Sequence, residues 1–250
     1  MAAVTFGRTC IDAELIVFDK DGTLIDFHHL WGRRAETGVE ALVTQLDGGI
    51  ELRQEIYRAL GYDCAARRTR SNSPYSTAPI EELGVIAASV VYQYGIDWHD
   101  AMNHVRTTFC LALQNPPTAD LIVPRGNVKA LFHELGTRGI KIAVATTDSR
   151  AGTEQALQLL GVQHLLIDLK CGDDPGTRKP DPRVLHELAT SADVDPRKVV
   201  MVSDTIGDLR MARDADAHAI AITGGAGADE ELTQFANASI VSLNEIGAWD

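Results

Sequence analysis

The sequence lacks the features of a membrane protein and of a nucleic-acid-binding protein. It contains no uninterrupted apolar stretch long enough to cross a bilayer, and its start, Met1 to Arg8, lacks the apolar centre of a secretory signal. Positive charge is also scarce, since 23 lysines and arginines stand against 35 aspartates and glutamates, a formal net charge of -12. Nucleic acids and anionic membranes bind cationic surfaces, so we expect neither as a partner.

Cysteine is rare and widely spaced. The chain has four cysteines and no Cys-x-x-Cys pair. This pattern suits reduced thiols in a cytoplasm, and no activating group for a catalytic thiol is evident. We therefore expect a soluble, cytoplasmic protein. The cysteines are Cys10, Cys64, Cys110 and Cys171.

Length and composition are those of an ordinary globular protein. The 250 residues suffice for one large domain, or for a core domain with a smaller one. Apolar residues make up 45% of the chain and charged residues 23%. The acidic balance permits a small anionic substrate, provided that local cations or a divalent metal hold it.

From Ile140 onward, short β-branched runs alternate with amphipathic segments. This alternation is typical of βαβ units and predicts an α/β fold with a Rossmann-like parallel sheet. The apolar run near residue 15 belongs to the same sheet by its composition, although its neighbours lie far away in the chain. The predicted strands are 140–145, 165–169, 198–202 and 219–222, and the predicted helices are 154–160, 182–190 and 207–215.

The stretch between the first predicted strand and the later ones has a different sequence pattern, which predicts mainly helices. We predict that residues 26–118 form an inserted helical domain, and that residues 1–25 and 119–250 form the α/β core. Asp97 is the expected N-cap of the last inserted helix, and Asn115-Pro116-Pro117 is the expected return hinge. The predicted helices of the insertion are 30–46, 52–60, 80–94 and 97–113, with a turn-rich connection over 61–79.

Two aspartates follow the first predicted strand. The apolar run 15–18 precedes Asp19-Lys20-Asp21-Gly22-Thr23. A polar turn is one interpretation, because Asp and Gly are common turn residues. Like charges this close raise one another's pKa, however, so the pair is stable as a dianion only beside a metal or strong hydrogen-bond donors. We therefore favour a functional site.

Three further signals lie at the ends of later strands. Thr146, with Thr147 beside it, follows the strand 140–145, and Lys179 precedes a helix. Ser203-Asp204-x-x-x-Asp208 follows the strand 198–202. Taken singly, each has a structural interpretation: Thr146 as the hydroxyl of a turn, Lys179 as a solvated charge in a loop, and Asp208 as an acid at a helix terminus. A parallel sheet brings its strand ends to one edge, so we expect all these side chains to converge on a single crevice.

In this combination and order, the chain resembles the haloacid dehalogenase-like (HAD) hydrolase superfamily. The resemblance rests on four motifs and covers the whole chain, because the helical insertion matches the position and character of the family's C1-type cap. The subgroup most similar in pattern is the phosphoglycolate phosphatases. The matching residues are Asp19-Lys20-Asp21-Gly22-Thr23, Thr146, Lys179 and Ser203-Asp204-x-x-x-Asp208.

The resemblance implies phosphatase chemistry with distinct roles. Asp19 is the expected nucleophile, which forms an aspartyl-phosphate, and Asp21 the expected acid and base. To act as an acid, Asp21 needs a raised pKa, and neighbouring acids could raise it. Thr146 and Thr147 are expected to bind the phosphoryl group together with Lys179, which also offsets the charge of Asp19.

The resemblance also implies a Mg²⁺ ion as cofactor. The expected ligands are the carboxylates of Asp19 and Asp204 and the backbone carbonyl of Asp21, with Asp208 as a further ligand or as the partner of a metal-bound water. Gly22 is expected to let the backbone approach the phosphate closely. The implied partner is a small phosphorylated metabolite, with the protein a monomer or a homodimer.

The second aspartate narrows the chemistry that this resemblance implies. Carbon–halogen-cleaving members lack an acid at the position of Asp21, and phosphonate-cleaving members use a cap lysine, whereas residues 26–118 contain no lysine. A sugar phosphomutase keeps every core motif and remains an alternative. A phospho-accepting receiver-like module is a second alternative, which the early position of Asp19 and the large insertion disfavour.

Some residues of the insertion are candidates for substrate selection, and each also has a purely structural interpretation. Phe27 and Trp31 follow the first motif and either face the leaving group or form the core of the first inserted helix. Arg67, Arg68 and Arg70 either clamp a second anionic group or form an exposed basic loop, which is the favoured reading.

Overall fold

A computed structural model describes residues 3–249, with side chains as far as Gly247. Residues 1, 2 and 250, which the predicted core domain includes, lie outside this range. The described chain separates into two compact units. The core unit comprises the residues up to Asp26 and those from Pro116 onward, and the helical unit is Phe27–Asn115.

Six parallel strands form the main sheet of the core unit. Their order is β10-β9-β8-β3-β6-β7, so the first strand of this sheet in the chain lies between two later strands. This architecture confirms the predicted α/β fold class. The strands of residues 3–249 are β1 (Ala3–Phe6), β2 (Thr9–Asp12), β3 (Leu15–Phe18), β4 (Tyr62–Asp63), β5 (Arg68–Thr69), β6 (Lys141–Ala145), β7 (Asp168–Lys170), β8 (Val199–Ser203), β9 (His218–Ile222), β10 (Ala238–Ile240) and β11 (Ile246–Trp249).

The central strands are apolar because both faces of the sheet are covered. Every residue of β3 and of β8 is buried, as is expected for strands of a parallel sheet packed between helices. Leu15 is in register with both Lys141 and Val199, so the carboxyl ends of the three strands lie level with one another. The residues that follow β3, β6 and β8 therefore emerge at one edge of the sheet.

Three helices of the core unit begin and end close to the predicted positions 154–160, 182–190 and 207–215, whereas the helices Val128–Thr137 and Asp229–Phe235 were not predicted. The predicted helix 154–160 begins earlier, at Arg150, because the Ser149 side chain accepts a hydrogen bond from the backbone N–H of Gly152. It ends at Gly161, which adopts the left-handed conformation at φ 70°. The helices of this unit are α7 (Val128–Thr137), α8 (Arg150–Leu160), α9 (Arg183–Ala192), α10 (Ile206–Asp214) and α11 (Asp229–Phe235), which follow α1 to α6 of the helical unit.

A second, antiparallel sheet in the core unit was not predicted. β1 pairs with β2 and also with β11, and Val4 lies opposite Ala248. Each of these strands has only four residues, too few for a clear alternation of apolar and polar positions. The pairing of β1 with β11 joins the two ends of the described chain, and no local signal specifies it.

The helical unit has its own apolar core, built mainly from α1, α2, α4 and α5. The Asp97 side chain accepts a hydrogen bond from the backbone N–H of His99, which confirms the predicted N-cap. The predicted helix 97–113 is interrupted by a π-helical segment, Arg106–Cys110, and the connection 61–79 contains the β4–β5 hairpin. The helices are α1 (Phe27–Gln45), α2 (Ile50–Leu60), α3 (Pro74–Thr77), α4 (Ile80–Gln93), α5 (Trp98–Val105) and α6 (Leu111–Gln114).

Among residues 3–249, no helix combines the length and the apolar character that a membrane span requires.

The packing of β3 on α7 provides a test of the core. Phe132 is fully buried, and its ring centroid lies 5.1 Å from that of Phe18. We expect Phe132→Ala to lower the free energy of unfolding by about 3–5 kcal/mol, because it removes an aromatic side chain and leaves a cavity. Urea denaturation measures the change. Leu159→Ala, at an exposed position of α8, is the control and should change stability by no more than about 0.5 kcal/mol.

Candidate active site

The carboxyl edge of the main sheet carries most of the residues that the sequence singled out. Asp19 follows β3, Thr146 follows β6 and Asp204 follows β8, and all three are buried. Asp208 is also buried and lies in the first turn of α10. Lys179 reaches the same place from the loop before α9. The structure thus brings these five side chains to one end of the sheet.

Lys179 holds two carboxylates together. Its Nζ lies 2.6 Å from Asp19 Oδ1 and 2.7 Å from Asp208 Oδ2, and it donates a third hydrogen bond to the carbonyl oxygen of Ala145 at 3.0 Å. Burial disfavours the ammonium ion, but the charges of Asp19 and Asp208 outweigh burial and raise the pKa of Lys179. The Ser203 hydroxyl donates to Asp208 Oδ2 at 2.7 Å and fixes that carboxylate further.

Asp19 has a strongly perturbed acidity. Burial raises its pKa, Lys179 opposes that effect, and the neighbouring carboxylates of Asp208 and Asp21 raise it again, to about 6 in total. The carboxyl group is therefore still ionised in most molecules at pH 7. An ionised carboxylate beside a lysine is a nucleophile that needs no separate base.

Asp204 is a buried carboxylate without a cationic partner in the described part of the chain. Its Oδ2 accepts a hydrogen bond from the backbone N–H of Ala226 at 2.6 Å, and Thr23 Oγ1 lies 3.4 Å from Oδ1. Burial, followed by the charge of Asp19, raises its pKa well above the ordinary value. Ionising such a pair costs free energy, which a cation between the two groups would offset.

The donor set around Asp204 fits a hard cation. Asp19 and Asp204 offer carboxylate oxygens, the ligands that Mg²⁺ prefers in proteins. Residues 3–249 contain no group of three or more His, Cys, Asp and Glu side chains arranged to hold a metal ion. Backbone carbonyl, water or phosphate oxygens would therefore have to complete a coordination shell, as is usual for Mg²⁺.

Three glycines enclose Asp204. A Cβ atom on Gly22 would lie 2.0 Å from Asp204 Oδ2, one on Gly225 would lie 2.1 Å from the same oxygen, and one on Gly227 would lie 2.3 Å from the Asp204 carbonyl oxygen. Gly22 also has a φ of +86°, a conformation that L side chains rarely adopt. Gly22 thus lets the backbone approach Asp204 closely, and its expected approach to a phosphate stays a prediction.

The loop after β9 and Arg125 were missed as parts of this site. The glycines of residues 224–227, just after the predicted strand 219–222, are a sequence signal for this loop. Arg125 donates hydrogen bonds to the carbonyl oxygens of Gly22 and Thr223, and so it joins the loop after β3 to the loop after β9. No sequence signal distinguishes Arg125 from the other arginines.

Asp21 has a neighbour that was not expected. The Nζ of Lys20 lies 2.8 and 2.9 Å from its two carboxylate oxygens and 2.8 Å from Asp148 Oδ2. Lys20 is fully buried. Burial alone would lower the pKa of Lys20, but the charges of Asp21 and Asp148 outweigh it and raise that pKa.

The two threonines after β6 differ in exposure. Thr146 is buried, and its Oγ1 accepts a hydrogen bond from the backbone N–H of Asp148 at 3.1 Å, which leaves its hydroxyl proton available to another acceptor. Thr147 is exposed. Of the two hydroxyls, only that of Thr146 lies in the buried group of side chains.

Within the helical unit, the residues singled out for substrate selection make local contacts. Phe27 is buried and stacks on Trp31, with ring centroids 6.3 Å apart. Arg67, Arg68 and Arg70 are all exposed, and Arg67 Nε lies 3.2 Å from Glu36 Oε1. These contacts agree with the structural interpretations: the core of the first inserted helix for Phe27 and Trp31, and an exposed basic loop for the three arginines.

Comparison with known proteins gives matches over most of the chain. The family model for haloacid dehalogenase-like hydrolases matches residues 13–216. The phosphoglycolate phosphatase of Rhodospirillum rubrum is 26% identical over 223 residues, which cover 84% of this chain and 90% of the relative. That of Vibrio vulnificus is 24% identical over 86% of this chain and 85% of its own length.

Solved structures agree at the level of the fold. A protein from Haemophilus somnus, described as a predicted phosphoglycolate phosphatase, superposes with a TM-score of 0.65 at 19% identity, over 94% of this chain and 96% of its own. Together, the comparisons confirm the resemblance to the hydrolase family and to its phosphoglycolate phosphatase-like subgroup, and with it the predicted enzyme class.

The uncompensated charge of Asp204 predicts an unusual effect on stability. In EDTA, the folded protein should lose stability as the pH rises from the ordinary aspartate pKa of about 4 up to about 6 for Asp19, and further for Asp204, because the unfolded chain releases protons that these carboxyl groups keep in the fold. We expect Asp204→Asn to be more stable than the native protein at pH 8 by about 1–3 kcal/mol, since the amide still accepts from Ala226. The two proteins should converge at low pH.

Thermal unfolding in EDTA at several pH values measures this difference. Asp214→Asn, at an exposed position on α10, is the matched control and should show no comparable pH-dependent gain. A less stable Asp204→Asn protein at pH 8 would contradict the proposed charge imbalance.

Proposed function

Because the chain belongs to the haloacid dehalogenase-like hydrolase family, we propose that it is a Mg²⁺-dependent phosphatase that hydrolyses a small phosphorylated metabolite through an aspartyl-phosphate on Asp19. The observation that carries the proposal is the pair formed by Asp19 and Lys179, 2.6 Å apart, beside Asp204, which lacks a cationic partner among residues 3–249. The relatives that cover most of the chain are named phosphoglycolate phosphatases, which favours a small, carboxylate-bearing phosphate monoester as substrate.

In the first step, a carboxylate oxygen of Asp19 attacks phosphorus, and the bond from phosphorus to the ester oxygen breaks. The proton that the departing alkoxide needs comes from the carboxyl group of Asp21. Lys179 offsets negative charge on Asp19 and on the phosphoryl group. The hydroxyl of Thr146 donates to a phosphoryl oxygen, while its own oxygen is held by the backbone N–H of Asp148.

In the second step, water attacks the phosphorus of the aspartyl-phosphate. Asp21, now a carboxylate, accepts a proton from that water, and the bond from phosphorus to Asp19 breaks. Inorganic phosphate leaves, and both aspartates return to their starting forms. The sum is one monoester and one water converted to one alcohol and one phosphate.

The residues that would hold the Mg²⁺ ion are Asp19, Asp204 and the backbone carbonyl of Asp21. Bound there, the ion would neutralise charge on the carboxylates and on the phosphoryl group. The proposed role of Asp208 is changed by its contacts: it pairs with Lys179 and accepts from Ser203, so we assign it first to holding Lys179.

Three roles implied by the resemblance remain part of the proposal. Thr147, next to Thr146, is assigned to phosphate binding through the same loop. Gly22 is assigned to close approach of the backbone in the site. The helical unit, Phe27–Asn115, is assigned the role of the cap.

The alternatives differ in what they release. A sugar phosphomutase would move phosphate within a sugar, require a bisphosphate and release little phosphate. The receiver-like module is set aside, because the family match over residues 13–216 is to hydrolases. Release of inorganic phosphate with each turnover separates the phosphatase from the phosphomutase.

We expect Asp19→Asn to abolish hydrolysis of p-nitrophenyl phosphate and phosphoglycolate, because the amide cannot act as the nucleophile. Asp21→Asn should lower the rate roughly 10²- to 10⁴-fold through loss of acid–base catalysis. EDTA should remove activity, and Mg²⁺ should restore it. The measurement is phosphate release under steady-state conditions.

Asp193→Asn is the matched control, since it makes the same chemical change at an exposed residue after α9. It should leave the rate unchanged. Full activity in EDTA, or in the Asp19→Asn variant, would be incompatible with the mechanism.

A further inference from the structure

The residue between the two aspartates of the first motif is a buried lysine that contacts two carboxylates. Lys20 has no exposed surface. Its Nζ contacts Asp21 Oδ1 at 2.8 Å, Asp21 Oδ2 at 2.9 Å and Asp148 Oδ2 at 2.8 Å. The ammonium group thus contacts both oxygens of Asp21 and one oxygen of Asp148.

Stability alone is a poor explanation for this arrangement. Lysine is almost never fully buried unless it is paired, and a buried ion pair is often no more stabilising than apolar residues of similar volume. Here one ammonium serves two carboxylates, so the group still carries a net negative charge. What the arrangement does supply is a fixed position for the Asp21 carboxyl group, which is contacted at both oxygens.

Asp148, the second partner of Lys20, is itself held by the backbone. Its Oδ1 accepts from the N–H of Ser149 at 2.7 Å, and its carbonyl oxygen accepts from the N–H of Gly172 at 2.8 Å. Its own N–H donates to Thr146 Oγ1 at 3.1 Å. Asp148 thereby connects the anchor of Lys20 to the hydroxyl that is assigned to phosphate binding.

We propose that Lys20, anchored by Asp148, is a positioning residue that holds the carboxyl group of Asp21 where the leaving oxygen is protonated. The inference rests on the proposed function and specifically on the acid–base role of Asp21. An aspartate side chain has two rotatable bonds, and proton transfer requires a donor held within about 0.5 Å of the productive position. Contacts to both oxygens from a buried and anchored lysine restrict that freedom.

The inference predicts a dependence on the leaving group that a general loss of structure would not produce. An alkyl phosphate releases a strongly basic alkoxide, which needs the proton from Asp21. p-Nitrophenyl phosphate releases a stabilised phenolate, which needs the proton much less. Loss of Lys20 should therefore lower kcat/KM far more for the alkyl ester than for the aryl ester.

The experiment compares the native enzyme with Lys20→Met on phosphoglycolate and on p-nitrophenyl phosphate. We expect kcat/KM to fall roughly 10²-fold or more on the alkyl ester, within the range that acid–base catalysis contributes, and less than about tenfold on the aryl ester. Lys20→Arg, which keeps the charge, should recover part of the alkyl activity. Lys170→Met, whose native side chain pairs with Glu187 at 2.7 Å, is the control and should retain native activity on both esters.

A double-mutant cycle tests whether Lys20 acts through Asp21. In an Asp21→Asn background, Lys20→Met should cause little further loss on the alkyl ester, because the group that Lys20 holds is already inactive. Asp148→Asn keeps the charge of Lys20 but weakens its anchor, so it should shift the ratio of alkyl to aryl activity in the same direction. If circular dichroism shows that Lys20→Met does not fold, Asp148→Asn still tests the inference.

Three outcomes would overturn the inference while leaving the proposed function intact. These are equal losses on both esters, a gain in alkyl activity on removing Lys20, and an undiminished effect of Lys20→Met in the Asp21→Asn background. Absence of phosphate release by the native enzyme, or native activity of Asp21→Asn, would instead overturn the proposed function on which the inference rests.

Discussion

The constraint on which this structure depends is the mutual repulsion of buried and half-buried carboxylates at one edge of a parallel sheet. Two buried lysines offset part of that charge, and each serves two carboxylates. The remaining carboxylate, Asp204, has backbone and hydroxyl donors but no cationic partner in residues 3–249. The core unit is therefore short of positive charge where its strands end, and a divalent cation or a substrate-bound metal has a reason to bind there. The carboxylates are Asp19, Asp21, Asp148, Asp204 and Asp208.

The fold maintains this unfavourable arrangement with rigid backbone rather than with additional side chains. β3 and β8 are buried along their whole lengths, so the residues that follow them have little freedom to move away from one another. Gly22 and Gly225 let two loops approach Asp204 more closely than any side chain would permit. Arg125 binds carbonyl oxygens of both loops. Stability gained in the apolar sheet thus offsets strain and repulsion at its edge, as is common at functional sites.

Sequence reasoning succeeded where the determining information is local. The apolar runs of β3, β6 and β8, the N-cap Asp97 and the left-handed Gly161 are each specified within a few residues. It failed where residues distant in sequence meet. The β1–β11 pairing, the contact of Arg125 with Gly22, and the contact of Lys20 with Asp148 leave no periodic trace in the sequence.

The two buried lysines contact different carboxylates. This division matches the two ends of an in-line displacement at phosphorus, the attacking oxygen and the leaving oxygen. Lys179 contacts Asp19, the proposed nucleophile, and Lys20 contacts Asp21, the proposed proton donor to the leaving oxygen. These two positions lie on opposite sides of phosphorus during the transfer, so one cation could not serve both. A lysine between the aspartates is therefore consistent with hydrolysis of esters whose leaving groups need a proton. Burial of Lys20 strengthens its electrostatic contact with Asp21, which exposure to water would weaken.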